Sequence, residues 1–568
     1  MTDQRNLLLA IVLSIAILLG FQFLYEGPKV QQRQAEQAKQ TEQTVNVPAP
    51  AAPAAEVAKD RPQLLAEQFA AGTRVKISTP SLHGSVNLVG GRIDDLTLAN
   101  YHVTPNPKSP EIVLLSPAGA PNGYYAEFGW VPEDRSVPTP DASTRWTAQG
   151  TELTPDKPLV LTWDNGKGLV FERTVAVDAD YMFTVTQRVR NTGSAPVRLM
   201  PYSLVSRHGT PHTEGFYILH EGPLGVFDGK LYETKYDDLK SANTVTKQTT
   251  GGWIGITDKY WLVSLVPDQK EAVTARFLHT ARGAEDRYQV DAMAQQPLEV
   301  APGATAEQTA RLFAGAKQVK LLDAYADKYG ITNFDLAIDF GWFYFLTKPF
   351  FYALDMLARL LGNFGLAILV FTVIVKAVFF PLANKSYHAM AKMKKLQPQM
   401  QQLRERFDDD KPRLNQEMMA LYKREKVNPM AGCLPIIIQI PVFFALYKVL
   451  FVTIEMRHAP FYGWIHDLSA PDPTTIANLF GLIPWNPPAM LMLGAWPIIM
   501  GITMYLQQKM NPAPPDPIQQ KVFAFLPVVF TFMLASFPAG LVIYWAWNNT
   551  LSIIQQWIIM RQDGVKIT

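Results

Sequence analysis

The sequence predicts an α-helical polytopic membrane protein with six transmembrane helices, a large all-β sandwich domain outside the membrane and a cytoplasmic helical hairpin. Three observations lead there. Apolar runs of bilayer-spanning length stand at the N-terminus and again in the C-terminal third. Between them lies a long region of short, alternating strands with turn signals and no helical period. The 568-residue chain has a mean hydropathy of zero, as a chain divided between water and lipid would. Its formal net charge of +2 leaves no electrostatic footprint for a nucleic-acid partner. Cys433 is the single cysteine, so no internal disulfide can form and the β-domain must rest on its hydrophobic core.

Residues 1–27 begin MTDQRNLLLAIVLSIAILLGFQFLY. The apolar run Leu7 to Tyr25 is long enough to cross roughly 30 Å of hydrocarbon. No small-x-small cleavage site closes it, which favours a retained signal anchor over a cleaved signal peptide. Residues 28–62 are rich in Gln, Ala and Pro and read as a disordered linker with too little apolar surface to fold. Residues 63–316 carry strands such as RVKIS (74–78), SVNLV (85–89), FTVTQRVRN (183–191) and YWLVSLV (260–266), separated by GG, NG and DG turns. This is the pattern of a large β-sandwich.

Residues 317–362 form a connection. KQVKLLDAYADKYGI (317–331) reads as a helix that closes the β-domain. DFGWFYFLTKPFFYALDMLARLLG (339–362) is crowded with aromatics but interrupted by Lys348, Asp355 and Arg359, with Pro349 expected to break it. That composition favours a helix lying on the membrane surface over a crossing one.

Residues 363–568 hold five apolar spans, at about 364–382, 433–452, 489–508, 522–537 and 541–560. The segment 383–430 between the first two has eleven Lys/Arg against six Asp/Glu, whereas 453–488 has one basic residue, Arg457. The positive-inside rule places 383–430 in the cytoplasm and 453–488 outside. With the anchor's N-terminus inside, the β-domain lies outside and the C-terminus returns to the cytoplasm. Within 383–430, Met393, Leu396, Met400, Leu403 and Phe407 are spaced 3, 4, 3, 4, and Leu414, Met418 and Leu421 resume the stripe after DDDKP. This predicts a coiled helical hairpin, kinked or broken at Pro398. Its methionines form either the hairpin seam or an adaptable surface for other apolar segments.

The spans carry unusual polar groups. Lys376 stands near the centre of the first, at a cost of roughly 2.5–3.5 kcal/mol on insertion scales. Gln439 lies in the second, and Tyr544, Trp545, Asn548, Asn549, Ser552 and Gln556 in the last. Such groups face a wet cavity or bond between helices. Lys376 either lines such a cavity or snorkels to the headgroups. No Asp or Glu lies in any of the five spans, which counts against a proton- or cation-coupled transporter. His208, His212, Glu214, His220 and Glu221 tempt a zinc reading, but Gly209 and Pro211 put the first pair in a loop, where surface polarity is the simpler account. No nucleotide fingerprint or nucleophile–base set is present.

The runs LGNFGLAILVFTVIVKAVFFPL, SYHAMAKMKKLQPQMQQLRERF, NQEMMALYKREKVNPMAGCLPIIIQIPVFFALYKVL, FYGWIHDLSAPDP and FPAGLVIYW resemble, in order and spacing, the YidC/Oxa/Alb family of membrane protein insertases. The match covers about 340–561. The signal anchor and β-domain resemble the Gram-negative form. The resemblance implies a periplasmic β-supersandwich and a bacterial inner-membrane location. It implies an insertase and chaperone rather than an enzyme, working alone or with the Sec translocon on nascent inner-membrane proteins, with the ribosome as a further partner and no cofactor or metal. It also implies a hydrophilic groove open to cytoplasm and lipid. The family's positive groove residue falls on Lys376, where arginine is usual. A groove threonine falls on Thr372, and a substrate-contacting tyrosine falls on Trp545, beside Tyr544. Gln439, Asn548 and Ser552 complete the expected groove, and Met393, Met400 and Met418 the hairpin contacts. The competing readings are a transporter or channel with Lys376 in its pore, and a membrane-anchored periplasmic carbohydrate-active enzyme.

Overall fold

The structure is a computed structural model that describes residues 59–565, apart from 216–218, 284, 408–409, 426, 428–433, 484, 486, 489–491 and 513–516. The expected anchor, 1–27, and most of the expected linker lie outside the described residues.

Helix α1 (Arg61–Ala70) leads into two sheets. The larger has eleven strands. Its main path runs from Thr244–Thr250 through Ala272–Arg282, Glu285–Ala294, Val197–His208, Tyr124–Pro132, Arg92–His102 and Leu82–Asn87 to Arg74–Ser78 and Glu152–Leu153. The second has nine strands, with Met182–Asn191 central between Leu169–Val177 and Thr305–Ala316. The strand Leu169–Val177 shows why the sheets pack. Leu169, Phe171, Arg173, Val175 and Val177 alternate inward, as the period of two requires. Arg173 is the exception in chemistry. Its buried guanidinium donates to the carbonyls of Gly91, at 2.8 Å, and of Phe128, and lies 4.7 Å from the Trp146 ring. It therefore bonds one sheet's interior to the other's backbone.

Helix α2 (Tyr236–Ala242) lies against the larger sheet, and α3 (Val319–Tyr329) closes the β-domain. Next comes α4 (Tyr344–Leu361), which runs through Pro349 without breaking. Its apolar face buries Phe351, Leu354 and Leu357. Two of the charges that interrupt its sequence, Lys348 and Asp355, are ties to the end of the β-domain, and the third, Arg359, pairs within the helix. Lys348 bridges Asp323 and Asp335 at 2.8 and 2.7 Å, and Asp355 takes Lys320 at 2.5 Å and Arg359 at 3.1 Å.

Gly362, in the left-handed region at φ 67°, ends α4, and Asn363 caps α5 (Phe364–Arg406) by accepting from the Leu366 amide at 3.0 Å. α5 is one 43-residue helix. Pro381 and Pro398 lie inside it, so of the kink or break expected at Pro398 the break does not occur, and the hairpin's first arm continues the apolar part of α5. α6 (Lys411–Arg424), capped by Asp410, returns against it. Leu396, Met400, Met418, Leu421 and Val427 form the seam. The remaining helices are α7 (Leu434–Val452), α8 (Ala495–Met510), α9 (Pro517–Leu534) and α10 (Ala539–Gln562), so each expected C-terminal span overlies a helix. Among the described residues, one helix, α5, is long and apolar enough by itself to cross a bilayer; Gln439–Val452 and Gln519–Leu534 are shorter apolar helices.

Candidate functional site: a polar cavity between three helices

α5, α7 and α10 meet around a cavity of 40 Å³. At roughly 10–15 Å³ per water this admits two or three molecules. Thr372, Lys376, Gln439, Tyr544 and Asn548 line it together with Val375, Phe379, Leu382, Ala383, Tyr387, Val442 and Leu446. α5 places its share by helical repeat: 372, 376, 379, 383 and 387 advance by three or four and share one face.

Lys376 Nζ donates to Ser552 Oγ at 2.6 Å, and Ser552 Oγ donates to the Asn548 carbonyl at 2.9 Å. Gln439 Nε2 donates to Asn548 Oδ1 at 3.0 Å, and the Tyr544 hydroxyl is hydrogen-bonded to Gln439. Thr372 Oγ1 donates to the Ile368 carbonyl at 2.7 Å, which satisfies its proton and leaves the oxygen facing the cavity. Each polar group thus has a partner on another helix or on backbone, which the bilayer interior demands. Among the described residues no carboxylate lines the cavity, and the ammonium is met there by the Ser552 hydroxyl rather than by an ion pair.

The polar residues of α10 divide by face. Asn548 and Ser552 look toward α5 and α7. Asn549 reaches Thr503 on α8 at 3.4 Å, and Gln556 donates to the Met510 carbonyl at 3.3 Å and Asn511 at 3.1 Å. One helix therefore carries polar groups on two faces, one toward the cavity and one bonded to α8 and its end.

Of the sequence-expected residues, Thr372, Lys376, Gln439, Tyr544 and Asn548 converge at the cavity, and Ser552 holds the ammonium. Trp545 does not line it: its ring stacks on Phe443 at 5.0 Å. Sequence reasoning missed Phe379, Ala383 and Tyr387, although their spacing from Lys376 already put them on its face. In the hairpin, Met400 and Met418 are buried in the seam and Met393 packs against it, whereas Met419 is 52% exposed.

The histidine-rich loop does not assemble a ligand set. Glu221 accepts from the Glu214 and Lys259 amides at 2.7 and 3.1 Å, and His220 Nε2 lies 3.1 Å from the Pro223 carbonyl. Burial lowers the pKa of His220 to about 4. Among the described residues no group of His, Cys, Asp and Glu is arranged to hold a metal ion.

A β-sandwich joined to a helical region that holds a lysine in a small cavity lined by both apolar and polar side chains is the arrangement of a membrane protein. The family model described as the YidC periplasmic domain matches residues 74–353, and that described as 60Kd inner membrane protein matches 356–565. The Membrane protein insertase YidC of Methylobacterium sp. (strain 4-46) is 55% identical, covering 100% of this chain and 96% of the relative. That of Bradyrhizobium diazoefficiens is 52% identical, covering 100% and 97%. A solved structure of an active YidC insertase with its first transmembrane domain resolved covers 85% of this chain and 92% of its own, at 17% identity and a TM-score of 0.36. The chain belongs to the YidC family of membrane protein insertases. An insertase moves polypeptide without making or breaking covalent bonds, so the family is not one of enzymes.

Proposed function

We propose that this chain inserts nascent inner-membrane proteins and assists their folding, with the cavity between α5, α7 and α10 as the polar end of a groove open to cytoplasm and lipid. The observation that carries this reading is the Lys376 ammonium held against Ser552 inside a water-sized cavity. Lys376 lies twelve residues into α5, or roughly 18 Å from its outer end. That puts the charge in the cytoplasmic half of the hydrocarbon, within reach of a substrate's polar tail. A positive field there attracts acidic tails. A polar cavity shortens the apolar barrier they must cross. Burying the substrate's own helix in lipid is favourable, so no nucleotide is required.

The proposal includes six crossings, with residues 1–27 as the first, both termini in the cytoplasm and the β-domain in the periplasm. The domain boundaries follow the sequence divisions at 27, 62, 316 and 362, with the hairpin at 383–430. The charge asymmetry of 383–430 and 453–488 supports this arrangement. The hairpin's basic residues and exposed Met419 suit contact with a translating ribosome or nascent chain. The Sec translocon is a partner for larger substrates. A transporter with Lys376 in its pore fits less well, because among the described residues the cavity has no carboxylate to exchange protons or bind cations.

The test is depletion of the protein in cells, followed by protease accessibility of newly made small membrane proteins. Rescue by a variant lacking most of 63–315 is expected. Complete loss of insertion by that variant, at normal membrane levels, would contradict an accessory role for the β-domain.

A further inference from the structure

Between Asp472 and Lys509 the chain has no charged residue and no histidine. Among the described residues, those from 482 to 494 lie outside any helix. The stretch leaves the outer end of α8 as an excursion whose neck is closed by backbone and side-chain bonds. The Ile476 amide donates to the Leu493 carbonyl at 3.1 Å. The Ala495 and Trp496 amides, at the start of α8, donate to Thr474 Oγ1 at 3.0 Å and to Asp472 Oδ2 at 2.9 Å. The neck is therefore bonded to the start of α8, and the tip lies beyond it.

The tip exposes what a soluble loop would bury. Leu482 is 83% exposed, Leu479 and Phe480 are 53% exposed, and Ile476, Ile483 and Trp485 are also exposed. Leu479 and Phe480 both lie in the left-handed region, at φ 50° and 58°, which non-glycine residues seldom adopt in succession. The tip nevertheless satisfies much of its own backbone. The amides of Phe480, Ile483 and Trp485 donate to the carbonyls of Thr475, Asn478 and Ile483 at 2.8, 3.0 and 2.8 Å. Apolar side chains outward, backbone bonds inward and a tryptophan among them are the requirements of a segment bathed in lipid at the headgroup boundary. The apolar surface continues onto the exposed Ile499, Ile502 and Leu506 of α8.

We propose that Ile476, Leu479, Phe480, Leu482, Ile483 and Trp485 form an outer-leaflet anchor, inserted among lipid headgroups and upper acyl chains, that holds the outer end of α8 at a set depth. A translocated substrate tail is the other candidate occupant, but the charge-free surface offers a polar tail nothing to pair with. The proposal rests on the reading that 453–488 faces outside.

The experiment uses the full chain with Cys433→Ser, reconstituted in liposomes of phosphatidylethanolamine and phosphatidylglycerol. Nitroxide is attached at L482C, at W485C as a second site, or at V103C, an exposed β-domain position. Power saturation compares collisions with oxygen, which concentrates in lipid, and with a polar nickel chelate. The expected result is an oxygen-to-nickel ratio several-fold higher at L482C and W485C than at V103C. A ratio equal to that at V103C overturns the proposal, as does exclusion of both reagents, which would place the tip against protein. Collision depth is the same from either leaflet. An error in topology would therefore appear separately, as reduction of the L482C label by a membrane-impermeant reductant from the cytoplasmic side.

Discussion

Lys376 of α5 donates a 2.6 Å hydrogen bond to Ser552 of α10 across the cavity that the two helices share with α7. The contact fixes a long, flexible side chain in one place. An ammonium directed at a neighbouring helix is not free to snorkel to the headgroups. Ser552 is accordingly a positioning residue for the groove charge. Ser552→Ala removes the acceptor without altering the charge. Insertion of a substrate with an acidic translocated tail should fall about two- to fivefold, in line with a lost hydrogen bond of roughly 0.5–1 kcal/mol, and a neutral-tailed substrate should be unaffected. Ser552→Thr should restore the difference. The check is protease protection of the two substrates at matched protein levels.

The hairpin seam sets a second expectation. Met400 and Met418 are buried in the seam and Met419 faces outward. A photo-crosslinker at Met419 should capture nascent chains, whereas one at Met400 should yield mainly crosslinks within the hairpin. Met400→Asp should loosen the hairpin, seen as faster hydrogen exchange over 393–424, since a carboxylate in an apolar seam has no partner.

Glu455, in the segment that follows α7, links stability to pH. Its carboxylate accepts from the Val319 amide at the start of α3, and Asp355, Lys320 and Tyr101 are the titratable groups around it. Burial raises its pKa to about 7. The folded state therefore favours the protonated acid. Stability from this group is complete below the ordinary carboxylate range and is lost as pH rises through 7. Glu455→Gln should raise the melting temperature relative to the parent at pH 8, by an amount equivalent to roughly 1–3 kcal/mol, and the gap should close toward pH 5. Equal melting temperatures at pH 8 would contradict the assignment.

Much of this was readable from residue patterns. The strands at 74–78 and 183–191 and the helix near 319–329 follow from alternation and from a 3.6-residue period. The groove face of α5 follows from spacing alone. What local pattern does not convey is which groups meet across the fold. Lys348 and Asp355 look like defects in an apolar helix until Asp323, Asp335 and Lys320 are seen opposite them, and Arg359 until it is seen to pair with Asp355 one turn earlier. Pro349 and Pro398 carry a breaking signal that each helix overrides through its tertiary packing. Tyr544 and Trp545 are adjacent, and only the rotation of α10 against α7 decides that the tyrosine lines the cavity while the tryptophan stacks on Phe443.

The central claim is that the charge of Lys376 draws substrate into the groove, and charge substitution at that residue tests it most directly. Insertion is measured for two substrates, one with an acidic and one with a neutral translocated tail, at equal levels of each variant. The account predicts that Lys376→Arg is active, that Lys376→Ala is impaired for the acidic tail and that Lys376→Glu is worse still. Equal insertion of both substrates by the parent, Ala and Glu proteins would contradict it.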